Sequence, residues 1–573
     1  MKKRKKGKVI IIISIILIIL SLLTIFILNN KKEINKNIND LTITDLNGKK
    51  YNNIITIDAN TTLNLNIEIE NSKEPETYNY GLYYKMLDGK KSGITIGEEK
   101  KDETDIITTK GSIESKKITV PLKISNVSNE EKKLQLGVHF SKLNISYQED
   151  EIKIEKFYQI IPNEPNLLEG MIPIVYDEFK QTWVKASVEN WYDYDNGKWA
   201  NAVMVTSNSR EKYINAKAET SIKEEDILSY FVWIPRYKYK LFNTEFAMMH
   251  PKEIEIIFSS KAEPKSFGTK NGEWLTHPAF TFGENELTGI WVGKFETTGT
   301  VDNPTIKPNL VTLTNQNVSN QFATSKKFIS ENYISEINSK TADSHIAKNI
   351  EWGAVAYLSH SKYGICKNGS CKNIRNNNVN SLSNINGPSI TGCSSIIADG
   401  AMVVSNTCHT SKTVPYNDIT YGVLASTTHS IYGVYDMNGG SWEIVMGLIK
   451  NEAGDNLITG RSDSKNSGFT GILYDYLSNI SKNYQGNNMP QIKYYDVYNY
   501  NLDDTNITNS KLGDATGETR NWYDDYAIFA NNQASWFMRG GLYNHQTQDG
   551  LFAYGKVDGR SSILRGFRTI LIN

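Results

Sequence analysis

Twenty consecutive residues, Val9 to Leu28, are apolar apart from Ser14, Ser21 and Thr24, and Lys2, Lys3, Arg4, Lys5, Lys6 and Lys8 precede them. As a helix, that run is long enough to cross a hydrocarbon core of about 30 Å. A cleaved export signal is the alternative, but it needs a shorter apolar core and a small-residue cleavage site, and neither is seen between Leu28 and Glu33. No cysteine follows the run directly, so a lipid anchor is not expected. The basic flank predicts residues 1–8 in the cytoplasm, residues 9–28 as one transmembrane helix, a polar tether over 29–40, and the bulk of the chain outside the cell membrane.

With those six basic residues set aside, 57 basic residues face 63 acidic ones. A mildly acidic exported part is a poor partner for nucleic acid. Its length predicts two or three domains, and the lack of a repeat of roughly 20 to 50 residues argues against a solenoid.

Residues 41–165 read as short strands punctuated by turns. "LTITDLNGKKY" carries an Asn-Gly hairpin signal and "TTLNLNIEIE" alternates with period two; "YNYGLYYKML", "KKITVPLKI", "KKLQLGVHF" and "EIKIEKFYQII" continue the series. Strands at this spacing predict an immunoglobulin-like β-sandwich, here without cysteine or tryptophan and suited to a spacer. "IPNEPNLLEGMIPIVYDEF" marks the boundary, and all ten tryptophans lie beyond it, from Trp183 to Trp536. Residues 166–573 predict a second domain rich in loops. "DILSYFVWIPRYKYKLF", "EIEIIFSS" and "GIWVGKFETTG" read as strands, with Pro235 at an edge or bend. "HIAKNIEWGAVAYLSHSKYG" is the best helix, with Ile346, Ile350, Val355 and Leu358 on one face.

Four cysteines fall in one window. Outside the cell, disulfides are the expected state. The "KNGS" turn between Cys366 and Cys371 favours that pair and leaves Cys393 with Cys408, although four cysteines allow three pairings. Zinc is the alternative because His409 follows Cys408, but no second tight pair completes such a site.

"YGVYDMNGGSWEIVMG" holds Asp436, Gly439, Ser441 and Glu443 in a D-x-x-G-x-S-x-E pattern. A hard cation needs six to eight oxygens, and a tight glycine turn can aim carboxylates and carbonyls inward to supply them. Asp436 as a turn cap and Glu443 as either a solvated acid or the partner of an arginine explain the same residues without an ion. Trp442 is expected to anchor the turn in the core.

Together with "FMRGGLYNHQTQDG" and the terminal "RGFRTIL", this segment is similar to the formylglycine-generating (sulfatase-modifying) enzyme family, whose domain is a variant of the C-type lectin fold. The matched elements include Trp442, Arg539, Gly540, Gly541, Gly566, Phe567 and Arg568, and "KNIEWGAVAYLSHSKYG" resembles a helix of bacterial and prophage surface proteins of that type. The resemblance implies an α+β, C-type lectin-like second domain with few regular elements. It also implies structural calcium held by Asp436, by Gly439 and Ser441 through backbone oxygens, and by Glu443; Gly440 stands where the family usually has Asn. The family's oxidases use a reactive cysteine pair shortly after R-G-G, and here no cysteine follows Cys408. An iron-dependent branch uses histidines, and His545 is the one histidine in that window. The resemblance therefore implies the scaffold without the reaction.

No G-x-S-x-G elbow, Walker loop or H-E-x-x-H helix is present. Lectin-type domains display a ligand surface near the C-terminus, and Trp522, Tyr523, Tyr526, Trp536, Tyr543, His545, Gln546, Gln548 and Tyr554 are aromatic and amide residues of the kind that stack on sugars or anchor interfaces. Trp522 and Trp536 are equally suited to a core. Arg539 and Arg568 are expected to hold the fold. The resulting expectation is a membrane-anchored recognition protein binding a surface glycan or protein. An enzyme acting on wall polysaccharide or peptidoglycan and a structural subunit of a surface assembly are the alternatives.

Overall fold

Alternating and β-branched segments dominate both parts of the chain, and the architecture follows from them. The structure, a computed structural model, describes residues 41–142 with short breaks and residues 162–573 apart from internal segments, the longest being 330–341, 381–388 and 396–402. The chain divides into two compact units, residues 1–158 and 159–573. The first unit contains two antiparallel sheets, of six and four strands. In the larger sheet Thr61–Glu70 pairs with Lys117–Asn126 along its full length, Thr61 opposite Asn126 and Glu70 opposite Lys117. Leu65, Leu122 and Ile124 from these strands are buried, as are Ile55 and Ile57, so the period-two pattern does set the inner face.

The second unit is built on a seven-stranded antiparallel sheet. Its strands are β1 (Met171–Asp177), β2 (Thr182–Lys185), β3 (Asn201–Val205), β4 (Ile227–Pro235), β5 (Gly289–Gly293), β6 (Asp343–Ile346) and, from much later in the chain, β12 (Thr569–Ile572). The order is β2-β1-β3-β4-β5-β12-β6, so the last strand sits inside the sheet. β3 and β5 are buried at every position and β4 at all but one, which explains their nearly continuous apolar runs. Pro235 ends β4 opposite Gly289, and the chain bends there into Tyr237–Lys240 of a separate three-stranded sheet.

A five-stranded sheet gathers β7 (Trp442–Ile449), β8 (Asp496–Tyr498), β9 (Trp536–Arg539), β10 (Tyr554–Val557) and β11 (Arg565–Phe567). β7 is buried along its whole length. It runs antiparallel to β9, while its other edge is shared, β11 along Trp442–Ile444 and β8 along Gly447–Ile449.

Three short helices, α1 (Ser207–Ile214), α2 (Val318–Ser325) and α3 (Asn349–Ser359), are found among the described residues. The α+β, C-type lectin-like class with a spanning helix is therefore corrected: the described chain is mostly β-sheet. The class had come with the resemblance, whereas the residues themselves are strand and turn formers with few helical periodicities. None of the described helices is long and apolar enough to cross a membrane, α3 reaching only about 17 Å at 1.5 Å per residue. The membrane helix expected at residues 9–28, with its basic tip and tether, lies outside the described residues. α3 itself differs from its expected amphipathic form, since all eleven of its residues are buried and Ile346 belongs to β6. Gly353 allows this, because a Cβ there would meet the Gly513 carbonyl oxygen at 1.9 Å.

Both expected disulfides are present, Cys366–Cys371 across a two-stranded hairpin and Cys393–Cys408 closing a longer loop. His409, the zinc alternative, lies outside the described residues.

Candidate functional site

The register of β7 brings the three short sequence signals together. Glu443 lies opposite Arg539 on β9 and beside Gly566 on β11, so the D-M-N-G-G-S-W-E, R-G-G and G-F-R segments are immediate neighbours. The turn before β7 takes left-handed backbone at Asp436 (φ 63°), Gly439 (81°) and Gly440 (72°). Gly440 is required for space as well, because a Cβ would stand 2.9 Å from Glu296 Oε1. The Gly439 amide donates to Gly540 O at 2.9 Å and the Tyr543 amide to Gly440 O at 2.8 Å, which ties the turn to the R-G-G segment.

Each of the two arginines donates four hydrogen bonds. Arg568 donates from Nε to Glu443 Oε2 at 3.0 Å and from Nη2 to Glu443 Oε1, and its remaining donors reach the carbonyls of Gly293 and Tyr435. Arg539 donates to Asn349 Oδ1 and to the carbonyls of Ala553, Asp514 and Ala515. Both side chains are buried, as expected of arginines that hold a fold.

Glu296, just after β5, is the residue that the sequence reading missed. It accepts from the Ser441 amide at 2.7 Å, from Ser389 Oγ at 3.1 Å and from Thr312 Oγ1. Asp436 accepts from the Gly392 amide and from Thr391 Oγ1. Burial, reinforced by the charges of Asp436 and Glu443, holds Glu296 well above the usual carboxylate range. Burial also raises Asp436, and lifts Glu443 to about 7 against the opposing pull of Arg568. The signal for Glu296 was an acid within the apolar run "GIWVGKFETTG", a placement that requires buried partners. The same run carries Lys294, buried and donating to Asn201 Oδ1 and the carbonyls of Ile431 and Gly433.

The two side-chain members of the expected calcium set are engaged by protein donors: both oxygens of Glu443 face Arg568, and Asp436 accepts from Gly392 and Thr391. A cation there would compete with these donors, and the cluster reads as a buried polar hub that locks three chain segments.

The expected aromatic surface divides in two. Trp522, Trp536, Tyr543 and Tyr554 are buried, which removes them from a display surface. Trp522 packs among Phe242, His360 and Phe552, Trp536 against Phe469, Tyr554 near Phe529, and Tyr543 joins Trp442, Leu542 and Ala553 in one cluster. Large rings gain more from burial than an open loop can return, which is why the residue types misled. His545 and Gln546 lie outside the described residues.

Tyr523 and Tyr526 are half-buried and Gln548 is exposed, and these three form a rim. The Tyr526 amide donates to Gln548 O at 2.8 Å, and the Tyr526 ring stands edge-on to Trp442 at 5.8 Å, so the rim rests directly on the hub's tryptophan. The turn that carries it is strained: Asn521 (φ 59°), Tyr523 (58°) and Asp524 (63°) all adopt left-handed backbone. For a tyrosine this is a costly conformation of the kind that concentrates at functional turns. Tyr523 Oη meets His360 Nε2 at 2.7 Å, and burial pushes the His360 imidazole down to about 4. A separate open depression of about 550 Å³ is lined by Phe282, Glu284, Asn285, Gln491, Ile492 and Lys493, none of them an expected site residue. No protein-family model matches the chain, and neither does any curated protein sequence.

Proposed function

We propose that the chain is an exported recognition protein that binds a glycan or protein at a cell surface through the rim formed by Tyr523, Tyr526 and Gln548. The observation that carries this reading is the strained turn at Asn521–Asp524, which holds the part-exposed Tyr523 and is followed two residues later by the part-exposed Tyr526, bonded through its amide to the exposed Gln548. Rigid aromatic faces with an adjacent amide suit sugar stacking and interface anchoring alike. Two disulfides support a place outside the reducing cytoplasm. The shared order of the three hub segments supports kinship with the formylglycine-generating enzyme family, and the lack of cysteine after Cys408 separates the chain from that family's copper chemistry.

The test is binding of the purified exported part, residues 41–573, to arrays of glycans and bacterial wall fragments. Tyr526→Ala is expected to weaken binding about tenfold, equivalent to about 1.4 kcal/mol, in a chain that still unfolds cooperatively. Chelator is expected to leave binding unaltered, since the acids of the hub are occupied by protein donors. Equal binding by wild type and Tyr526→Ala would move the site away from the rim, and hydrolysis of any wall fragment would replace recognition with catalysis.

A further inference from the structure

α3 ends at Ser359 with His360 as its C-cap, and six residues after His360 the chain enters a hairpin, Cys366–Lys367 paired with Ser370–Cys371, whose two cysteines are directly opposite each other. The His360 ring is walled by Trp522 at 5.0 Å and Phe552 at 5.4 Å, and its Nδ1 lies 3.8 Å from Cys366 Sγ. One ligand atom from each of His360, Cys366 and Cys371 can be chosen so that all three lie within 4.8 Å of one another. Zinc–sulfur bonds of about 2.3 Å and zinc–nitrogen bonds of about 2.0 Å place tetrahedral ligands about 3.5 Å apart. The histidine and its nearer sulfur are already at nearly that separation. His360 and Cys366 are buried and Cys371 is half-exposed, so one side of the pair is reachable from solvent.

We propose that the Cys366–Cys371 disulfide, once reduced, becomes with His360 a three-donor site for a thiophilic divalent cation of the zinc type. An external dithiol supplies the two electrons and two protons: the sulfur–sulfur bond breaks, two thiols form, and the dithiol leaves as its own disulfide. Cation binding then releases both thiol protons to solvent, giving two thiolate ligands. His360 now faces the Lys252 carbonyl with Nδ1 at 2.9 Å, which requires the proton on that nitrogen, and Nε2 accepts from Tyr523. To coordinate through Nδ1 the ring takes the other tautomer, and Nε2–H donates to Tyr523 Oη, which accepts as readily as it donates. The fourth position of a tetrahedral site is left for water or a ligand atom. The rim tyrosine Tyr523 thereby becomes the outer partner of a metal-bound histidine, which links the redox state of the hairpin to the strained turn.

The test uses residues 41–573 reduced with dithiothreitol, freed of reductant without air, and titrated with Co²⁺ as the spectroscopic probe. Expected are one equivalent of cobalt, intense visible absorption of tetrahedral geometry, thiolate-to-cobalt charge transfer in the near ultraviolet, and displacement by Zn²⁺, none of it in the oxidised protein. Cys371→Ser is expected to lower affinity at least tenfold and to reduce the charge transfer. His360→Gln is expected to shift the visible bands while the charge transfer remains. Because Cys393 and Cys408 are reduced together with the first pair, metal-dependent protection from alkylation is read by mass spectrometry on each cysteine. Protection of Cys366 and Cys371 alone supports the site. Protection of Cys393 and Cys408 instead, or no thiolate–cobalt absorption after reduction, overturns it.

Discussion

Glu443 and Arg568 form a charge pair with both partners about 1 % exposed, and what it contributes depends on what replaces it. A buried pair gives little net stability compared with a well-packed apolar pair, but a guanidinium stripped of its anion is left in a low-dielectric site. Glu443→Gln is therefore expected to cost about 3–5 kcal/mol in denaturant unfolding, and Glu443→Met combined with Arg568→Met to recover a large part of that loss. A Glu443→Gln protein within about 0.5 kcal/mol of wild type would show that the carbonyls of Gly293 and Tyr435 suffice for Arg568. The sequence made both residues visible as motif members, and the reading of Glu443 as the partner of an arginine was open from the start. It could not show which arginine, because 125 positions separate the two and only the pairing of β7 with β11 joins them. Glu296 was invisible for a related reason: a single acid in an apolar run announces a buried partner without naming it.

At the scale of elements, β6 and α3 meet through a buried histidine that makes their junction sensitive to pH. His345 Nδ1 lies 3.0 Å from Asp343 and Nε2 lies 3.2 Å from Glu351, which also caps α3 by accepting from the Lys348 amide. Lys326 and Tyr494 hold the other Asp343 oxygen, Lys348 pairs with Glu351, and Phe282 stacks on the imidazole at 5.0 Å. Asp496, accepting from the Ile350 amide, is the remaining acid at the start of α3. Burial alone would lower the His345 pKa, but Glu351 and Asp343 outweigh it and raise it above 6.5. Burial would raise Asp343, yet His345 and Lys326 bring it down to about 2. A raised histidine contributes stability that is complete below its unfolded pKa near 6.5 and is lost as pH rises through the folded value. A depressed aspartate contributes stability present above its unfolded value of 3.8 and lost as pH falls toward 2. The raised pKa of Glu443 gives a contribution that is complete below its unfolded value of 4.5 and is lost by about pH 7, above which the acid is ionised against Arg568. Urea midpoints compared for wild type and His345→Gln between about pH 5 and pH 9 should show a wild-type advantage that is greatest below 6.5 and shrinks above it. A constant difference across that range would mean that folding leaves the His345 pKa unshifted. Sequence patterning located α3 well but placed it on a surface; its total burial follows from Gly353 admitting the Gly513 backbone, a contact between distant segments that no local period encodes.

For the whole molecule, the order of strands sets the order of events. β5, at positions 289–293, and β6, at 343–346, are not hydrogen-bonded to each other; β12, the last strand of the chain, lies between them and pairs with both. Trp291 faces Leu571 across one edge and Ser344 faces Leu571 across the other, so β6 has no neighbour in this sheet until the C-terminus arrives. Arg568, one residue before β12, also closes the hub at that moment, which couples sheet closure to burial of Glu443. Pairings across more than 200 residues make such a fold slow to complete, since loop closure precedes any return from contacts. Here lies the limit of what the linear pattern showed: strand segments were legible one by one, whereas the sheet order depends on which distant apolar faces match. A chain ending at Phe567 keeps every other strand of the seven-stranded and five-stranded sheets, yet it lacks Arg568 and the two edges of β12. Its second unit is expected to lose cooperative thermal unfolding and to become sensitive to protease between β5 and β7, whereas the first unit, with its own pair of sheets, keeps its protection. Retention of a cooperative transition within a few degrees of wild type would show that β5 holds through its pairing with β4 and β6 through its packing on α2, and that the terminal strand is an addition to a sheet already formed.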